Sequence, residues 1–224
     1  MSKLVSFLFI INFGVVFFNF HSIYRNERRL FSSFIRFSNT KMGTTMLNSL
    51  ILLFLYSMCD FGILLFFGGL RPFETDRIKE RIWFAVTDTF LAFAVFSSDI
   101  SSNLLLSLAL LLFIKYFHFA FEVRIGSIER DVVIPKSTIL KSSVFFIFFL
   151  FMDLFFVHYL YVYSDNSDNI QHLMINEYAI LCINLVYNMV KLIIHYIDYI
   201  KDYAFHAKIT LFSYLFIFKC IPFF

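Results

Sequence analysis

The chain has 224 residues, of which 60% are hydrophobic and only 16% are charged, and its mean hydropathy is +0.77. Soluble domains carry about 45–50% apolar residues, and the 6 glycines and 3 prolines here leave little material for tight turns. This composition excludes a soluble enzyme domain, a disordered tail, a collagen-like chain and a disulfide-stapled fold. A net charge of +3 does not indicate a basic surface for binding nucleic acid. The composition therefore predicts a polytopic membrane protein.

Seven apolar runs follow one another along the chain. A helix needs ~20 apolar residues to cross a bilayer, and the runs lack the alternation that is typical of barrel strands. We therefore expect an all-α, polytopic transmembrane helix bundle with six full spans and a partial seventh, so that residues 1–224 form one multispan membrane domain. The predicted spans are residues 4–20, 47–70, 82–96, 104–121, 139–162, 178–200 and 209–224.

Charged segments separate these runs and indicate an orientation. Residues 21–46 are predicted to form a basic loop, and the charged segments 71–81 and 122–136 are also expected in water. Residues 97–103 and 164–169 contain no Lys or Arg. The positive-inside rule places the N-terminus, with segments 71–81 and 122–136, in the cytosol. The five basic residues of segment 21–46 would then face the opposite side, against the rule.

Five ionisable residues interrupt the apolar runs: Asp60, Asp88, Lys115, Asp153 and Lys191. Each costs about 2.5–3.5 kcal/mol at the centre of a helix on insertion scales, so we expect these side chains to avoid lipid. Three interpretations are open. The charges form ion pairs between helices, they line a polar passage for a substrate, or they snorkel to the interface, which suits the long side chain of Lys115 best.

A polar stripe runs along the sixth predicted helix. Its members recur at intervals of three or four residues, which places them on one face. They are Asn184, Asn188, Lys191, His195 and Asp198, and Glu177 and Asp202 extend the same stripe. Together with Asp60, Asp88, Lys115 and Asp153, the residues from Asn184 to Asp198 are the predicted polar site, either inside the membrane or in a water-filled groove.

Motifs for catalysis or metal binding are not found in this sequence. It has no Gly-rich phosphate loop, no H-E-x-x-H and no G-x-S-x-G. His118 and His195 each stand alone on a helix and are interpreted as packed or snorkelling residues. The three cysteines, Cys59, Cys182 and Cys220, lie far apart in apolar runs and are interpreted as small hydrophobic residues. We expect no catalytic residue, metal or cofactor in these 224 residues.

Several blocks from residue 69 onward resemble the synoviolin family of endoplasmic-reticulum ubiquitin ligases. They are residues 69–71 (GLR), 80–89 (ERIWFAVTDT), 91–96 (LAFAVF) and 111–118 (LLFIKYFH). Asp88 stands where the family has Glu. Further matches follow in order at Val123-Arg124, Glu129-Arg130, Asp153-Leu154-Phe155, Glu177-Tyr178-Ala179-Ile180-Leu181, Lys191 and His195. The resemblance covers residues 46–202, whereas residues 1–45 match only in hydropathy.

This resemblance implies a role in endoplasmic-reticulum-associated protein degradation. The membrane part of such ligases helps to form a route by which misfolded proteins leave the lumen, and a cytosolic, zinc-binding RING domain recruits a ubiquitin-conjugating enzyme. The implied location is the endoplasmic-reticulum membrane. The implied partners are misfolded protein substrates, Derlin-type membrane proteins, a luminal adaptor with Sel1-type repeats, a cytosolic AAA ATPase and, as an option, further copies of the chain.

The paired Cys/His ligands of a RING are absent from these 224 residues, which hold 3 scattered cysteines and 6 histidines. Zinc is therefore expected only if a RING follows downstream. The sequence leaves open whether it is a fragment or a shortened paralogue. We expect the non-catalytic membrane domain of a synoviolin-like ligase, with substrate passage and adaptor docking as its roles. The alternatives are a RING-less membrane adaptor and a small polytopic transporter.

Overall fold

A computed structural model describes residues 2–96, 102–131, 135–162, 169–201 and 213–214. Over these ranges the chain is helical and has no strand, so the all-α prediction is confirmed. The helices are α1 (Ser2–Glu27), α2 (Leu30–Asn39), α3 (Lys41–Phe67), α4 (Pro72–Phe96), α5 (Ser102–Ile128), α6 (Lys136–Val162) and α7 (Asn169–Lys201).

Five of the described helices are long and apolar enough to cross a membrane. The segments are Phe7–Arg25, Lys41–Phe67, Leu104–Ile128, Lys136–Val162 and Ile170–Ile200. Helix α4 contains the third predicted run, but its charged first half keeps it out of this group. The seventh run and Asp202 lie outside the described residues, apart from positions 213–214. The count of six spans and a partial seventh stays a prediction.

Two predicted loops prove to be largely helical. The prediction of a basic loop over residues 21–46 was wrong, because α1 continues to Glu27 and α2 fills most of the interval before α3 begins at Lys41. The charged segment 71–81 is not a loop either, because α4 begins at Pro72. Proline suits the first position of a helix, where the missing N–H would have no intrahelical partner. Charge density alone is therefore a poor guide to where these helices end.

The turn between α3 and α4 depends on two glycines. Gly68 has φ 68° and Gly69 has φ 110°, both in the left-handed region that a Cβ atom disfavours. A residue in this conformation commonly ends an α-helix. The pair therefore ends α3 at Phe67 and lets the chain reverse before Pro72.

The chain divides into two compact units. The first consists of Met1–Gly62 and Ser98–Phe113, and the second of Ile63–Ser97 and Ile114–Phe224. In the first unit the Asn12 side-chain amide donates to Ser49 Oγ at 2.8 Å, which links α1 to α3. The rings of Phe20 and Phe37 meet edge to face at 6.2 Å between α1 and α2.

Phenylalanine rings form the core of the second unit. Phe145 of α6 stacks on Phe121 of α5 at 4.7 Å and on Phe149, one turn along α6, at 4.3 Å between ring centroids. Phe66 approaches Phe145 edge to face at 5.2 Å. Such pairs add about 0.5–1.5 kcal/mol each beyond the area they bury. This packing fixes α6 beside the part of α5 that carries polar residues.

Candidate functional site

Two ion pairs join α5 and α7 in the second unit. Lys115 Nζ lies 2.8 Å from Glu177 Oε2, and Lys191 Nζ lies 2.8 Å from Glu129 Oε2, just beyond the end of α5. Fourteen residues separate the two members on each side, ~21 Å along a helix axis. The two helices therefore run parallel and in register. We call the facing side chains the polar seam: Lys115, His118, Glu122 and Glu129 from the α5 side, and Glu177, Asn184, Asn188 and Lys191 from α7.

Lys115 anchors the first end of the polar seam. The residue is only 8% exposed, and its ammonium donates to Thr89 Oγ1 of α4 at 3.2 Å as well as pairing with Glu177. Thr89 is buried too. A buried ammonium requires a close anion, because desolvation of an unpaired charge is costly. For this residue the structure favours the interpretation of an ion pair between helices over snorkelling.

His118 and Asp153 form a buried dyad beside the polar seam. Nε2 of His118 lies 2.9 Å from Asp153 Oδ2, and Nδ1 lies 3.0 Å from the Ile114 carbonyl oxygen. A carbonyl only accepts, so Nδ1 carries a proton. A proton must also lie between Nε2 and Oδ2, on one atom or the other. In either arrangement the dyad has no net charge, which is compatible with the burial of both residues.

The middle of the polar seam encloses a small pocket. Its polar lining comes from His118 and Glu122 of α5 and from Asn184 and Asn188 of α7. The pocket volume, about 10 Å³, is close to the minimum that holds one water molecule. The Asn188 side-chain amide donates to the backbone carbonyl oxygen of Asn184 at 2.8 Å. The site therefore places the amide groups of Asn184 and Asn188, beside the Glu122 carboxylate, between two ion pairs.

The other predicted site residues are not among those that line the pocket of the polar seam. His195 and Asp198 are half-buried further along α7. Asp60 is exposed on α3 in the first unit, and Asp88 is exposed on α4 in the second. The structure thus brings together Lys115, Asn184, Asn188 and Lys191, with Asp153 next to them through His118.

A second charged cluster joins the start of α4 to the end of α5. Glu74 is fully buried; it accepts the Arg71 backbone N–H at 2.8 Å, as in half of a capping box, and both its oxygens accept from Arg124 Nη1 at 3.3 Å. The Arg71 guanidinium holds Asp131 through two hydrogen bonds of 3.1 and 2.8 Å. These bonds lower the pKa of Asp131 and raise the pKa of Arg71. The cluster places α4 against α5.

The sequence interpretation missed several of these partners. His118 was interpreted as a lone packed residue, and Glu74, Thr89 and Glu129 were not selected. One signal was available: Lys115 and Glu129 repeat the spacing of Glu177 and Lys191 with the charges reversed. The described residues contain no group of three or more His, Cys, Asp and Glu side chains able to hold a metal ion.

A comparison with protein families decides where the chain belongs. The family model described as "E3 ubiquitin-protein ligase synoviolin-like, TPR repeats" matches residues 4–221. The chain belongs to this synoviolin-like family. The match extends nearly to both ends of the printed sequence, beyond the blocks in residues 46–202 on which the resemblance was based.

A curated relative of this synoviolin-like chain is the "ERAD-associated E3 ubiquitin-protein ligase hrd1" of Schizosaccharomyces pombe. The two are 22% identical over 172 residues, which cover 76% of the chain and 25% of the relative. The chain therefore spans about a quarter of the length of that protein. The predicted resemblance to the synoviolin family is confirmed.

Proposed function

We propose that the chain is the membrane domain of a synoviolin-type ubiquitin ligase in endoplasmic-reticulum-associated degradation, and that the polar seam contacts misfolded polypeptides in passage. The observation that carries this proposal is the arrangement of Asn184 and Asn188 opposite His118 and Glu122. An unfolded chain exposes backbone N–H and C=O groups that need partners within a membrane. Amide groups supply both donors and acceptors without demanding a fixed charge.

The two ion pairs explain how such a seam stays closed when no polypeptide is bound. Lys115–Glu177 and Lys191–Glu129 hold α5 and α7 at both ends, and the pocket between them has room for about one water molecule. Passage of a polypeptide thus requires α5 and α7 to separate. In this proposal the ion pairs close the seam, and Asn184 and Asn188 make the transient contacts.

The proposed location is the endoplasmic-reticulum membrane, as a multi-pass protein, and the apolar surface of α6 is compatible with a membrane. Helix α6 exposes Val144, Ile147 and Phe151 on one face, which fits lipid or the membrane helix of a partner. Derlin-type proteins, a luminal Sel1-repeat adaptor and a second copy of the chain are the proposed partners. A downstream RING would supply ubiquitin transfer and zinc, so the chain itself is proposed to be non-catalytic.

Thiol labelling tests whether the polar seam opens to water. In a variant with Cys59, Cys182 and Cys220 replaced by alanine, single cysteines at positions 184, 188 and 195 are treated in microsomes with a small, membrane-impermeant maleimide. We expect labelling at all three. Position 188 is decisive, because Asn188 is only 4% exposed and becomes reactive only when the seam opens.

Ile193 provides the matched control for this experiment, because it lies on the exposed apolar side of α7. A cysteine there should stay unreactive in lipid. If positions 184 and 188 are as unreactive as position 193, the polar stripe is interhelical packing and the passage proposal is wrong.

Photocrosslinking tests the proposed substrate directly. A photoreactive amino acid at position 184 should form an adduct with a co-expressed misfolded luminal glycoprotein, because the proposal places the polypeptide against Asn184. The same amino acid at position 193 should give none, and a folded version of the glycoprotein should give none at either position. Equal adducts at both positions, or none at position 184, would contradict a passage at the polar seam.

A further inference from the structure

Helix α2 has an apolar face that no described residue of the first unit covers. Leu30, Phe31, Phe34 and Ile35 recur at helical spacing and are exposed, Phe31 to 78% and Phe34 to 52%. Ser33 and Phe37, along one edge of this face, are buried. The helix is therefore amphipathic in an unusual sense, because most of its apolar face points away from its own unit.

The C-terminal end of α2 contacts two helices of membrane-crossing length, α1 and α3. Phe20 of α1 meets Phe37 at 6.2 Å between ring centroids. On the α3 side, Thr40 Oγ1 donates to the Phe37 carbonyl at 2.7 Å and accepts the Gly43 N–H at 3.1 Å. A Cβ atom at position 43 would collide with the same Phe37 carbonyl oxygen. These contacts place α2 where the candidate membrane span Phe7–Arg25 ends and the candidate span Lys41–Phe67 begins.

Basic residues concentrate at this level. Residues 21–46 hold five Lys or Arg and a single acid, Glu27, and Arg25, Arg28 and Arg29 are all exposed. Arg28 has φ 54°, a conformation that glycine adopts far more readily. The backbone conformation therefore does not explain why position 28 is an arginine. Guanidinium groups form paired hydrogen bonds with phosphate.

We propose that α2 is an interfacial anchor that binds anionic phospholipid. Leu30, Phe31, Phe34 and Ile35 insert among the upper acyl chains, and Arg25, Arg28 and Arg29 bind the lipid phosphates. A helix with bulky apolar residues on one face, preceded by a basic segment, is suited to this position, about 5–10 Å into the headgroup boundary. The anchor also gives the basic residues of segment 21–46 a place that the positive-inside rule, which counts loop charges, does not consider.

Fluorescence of a single tryptophan tests this proposal on the whole chain in vesicles. Trp83 is the sole tryptophan, so Phe31→Trp is introduced together with Trp83→Phe. Lipids brominated near the headgroup end of the acyl chains should quench the indole at position 31 severalfold more than lipids brominated near the methyl end. Phe37→Trp in the same background is the matched control, since position 37 is buried against α1, and we expect little quenching there by either lipid.

A second measurement tests whether the arginines bind anionic lipid. In the Phe31→Trp/Trp83→Phe protein, quenching by the shallow bromines should increase when phosphatidylglycerol replaces part of the phosphatidylcholine, and adding Arg28→Gln/Arg29→Gln should abolish that increase. An unchanged response to phosphatidylglycerol after this addition would contradict phosphate binding by the arginines. Strong quenching at position 31 by aqueous acrylamide would overturn the interfacial position, because the apolar face would then lie in water, free for a protein partner. Stronger quenching by the deep bromines than by the shallow ones would also overturn it, because α2 would then lie within the acyl chains.

Discussion

The variant Glu177→Leu is expected to lower the free energy of unfolding by about 3–5 kcal/mol, because it leaves a buried ammonium without its carboxylate. Lys115 lies inside the second unit, and its other hydrogen bond goes to the neutral hydroxyl of Thr89. Titration of the purified protein with sodium dodecyl sulfate in mixed micelles, followed by circular dichroism, measures the change.

Exchange of the two charges separates pairing from simple disruption. The double variant Lys115→Glu/Glu177→Lys should recover a substantial part of the loss, since it restores an ion pair between α5 and α7. Asp76→Ala is the control: Asp76 pairs with Lys79 on the surface of α4, where both side chains are largely exposed, and such pairs contribute little. If the exchanged variant is no more stable than Glu177→Leu, Lys115 and Glu177 do not stabilise the protein as a pair.

The sequence predicted the all-α fold because its strongest signal is local. Runs such as residues 139–162 are apolar over a whole membrane-crossing length, so their helical state follows from the hydrogen-bonding demand of lipid. The positions at which the helices end were harder to predict from the sequence. Helix α5 continues to Ile128, past the point where charge at Glu122 suggested a loop, because Glu122 pairs with Arg81 at 2.6 Å and Arg124 binds Glu74. Partners supplied by another helix are not visible in a local pattern.

The candidate site could be predicted from the sequence only in part, for the same reason. The spacing along α7 correctly placed Asn184, Asn188 and Lys191 on one helical face, but it could not say that Glu129 is the anion facing Lys191. Nor could it separate Asp153, which is fully buried, from the exposed Asp60 and Asp88. All three acids interrupt apolar runs, and their environments differ only through tertiary packing.

Several residues of the blocks that first suggested a synoviolin-like family form ion pairs within the second unit. Arg71 binds Asp131, Lys115 binds Glu177, and Lys191 binds Glu129. The blocks therefore have a structural explanation that is independent of any passing polypeptide. It follows that matching these blocks supports the fold of the second unit more directly than it supports passage, which depends on the behaviour of Asn184 and Asn188.

Breaking the His118–Asp153 dyad should cause the other large loss of stability. His118→Leu leaves the Asp153 carboxyl group fully buried without the imidazole, and Oδ1 already has no hydrogen-bond partner among the described residues. We expect a loss of about 3–5 kcal/mol in the same detergent titration, because a buried carboxyl group without its partner is destabilising, whereas an apolar replacement of the whole pair is often tolerated.

The double variant His118→Leu/Asp153→Leu is accordingly expected to be more stable than His118→Leu alone. This reversal would show that the dyad is needed because each partner requires the other, and that the surrounding rings of Phe117 and Phe149, which pack at 5.2 Å, accommodate aliphatic side chains. Asp88→Leu removes the same charge at an exposed position of α4 and should not lower stability. A double variant that is less stable than His118→Leu would mean that Asp153 stabilises the second unit independently of His118.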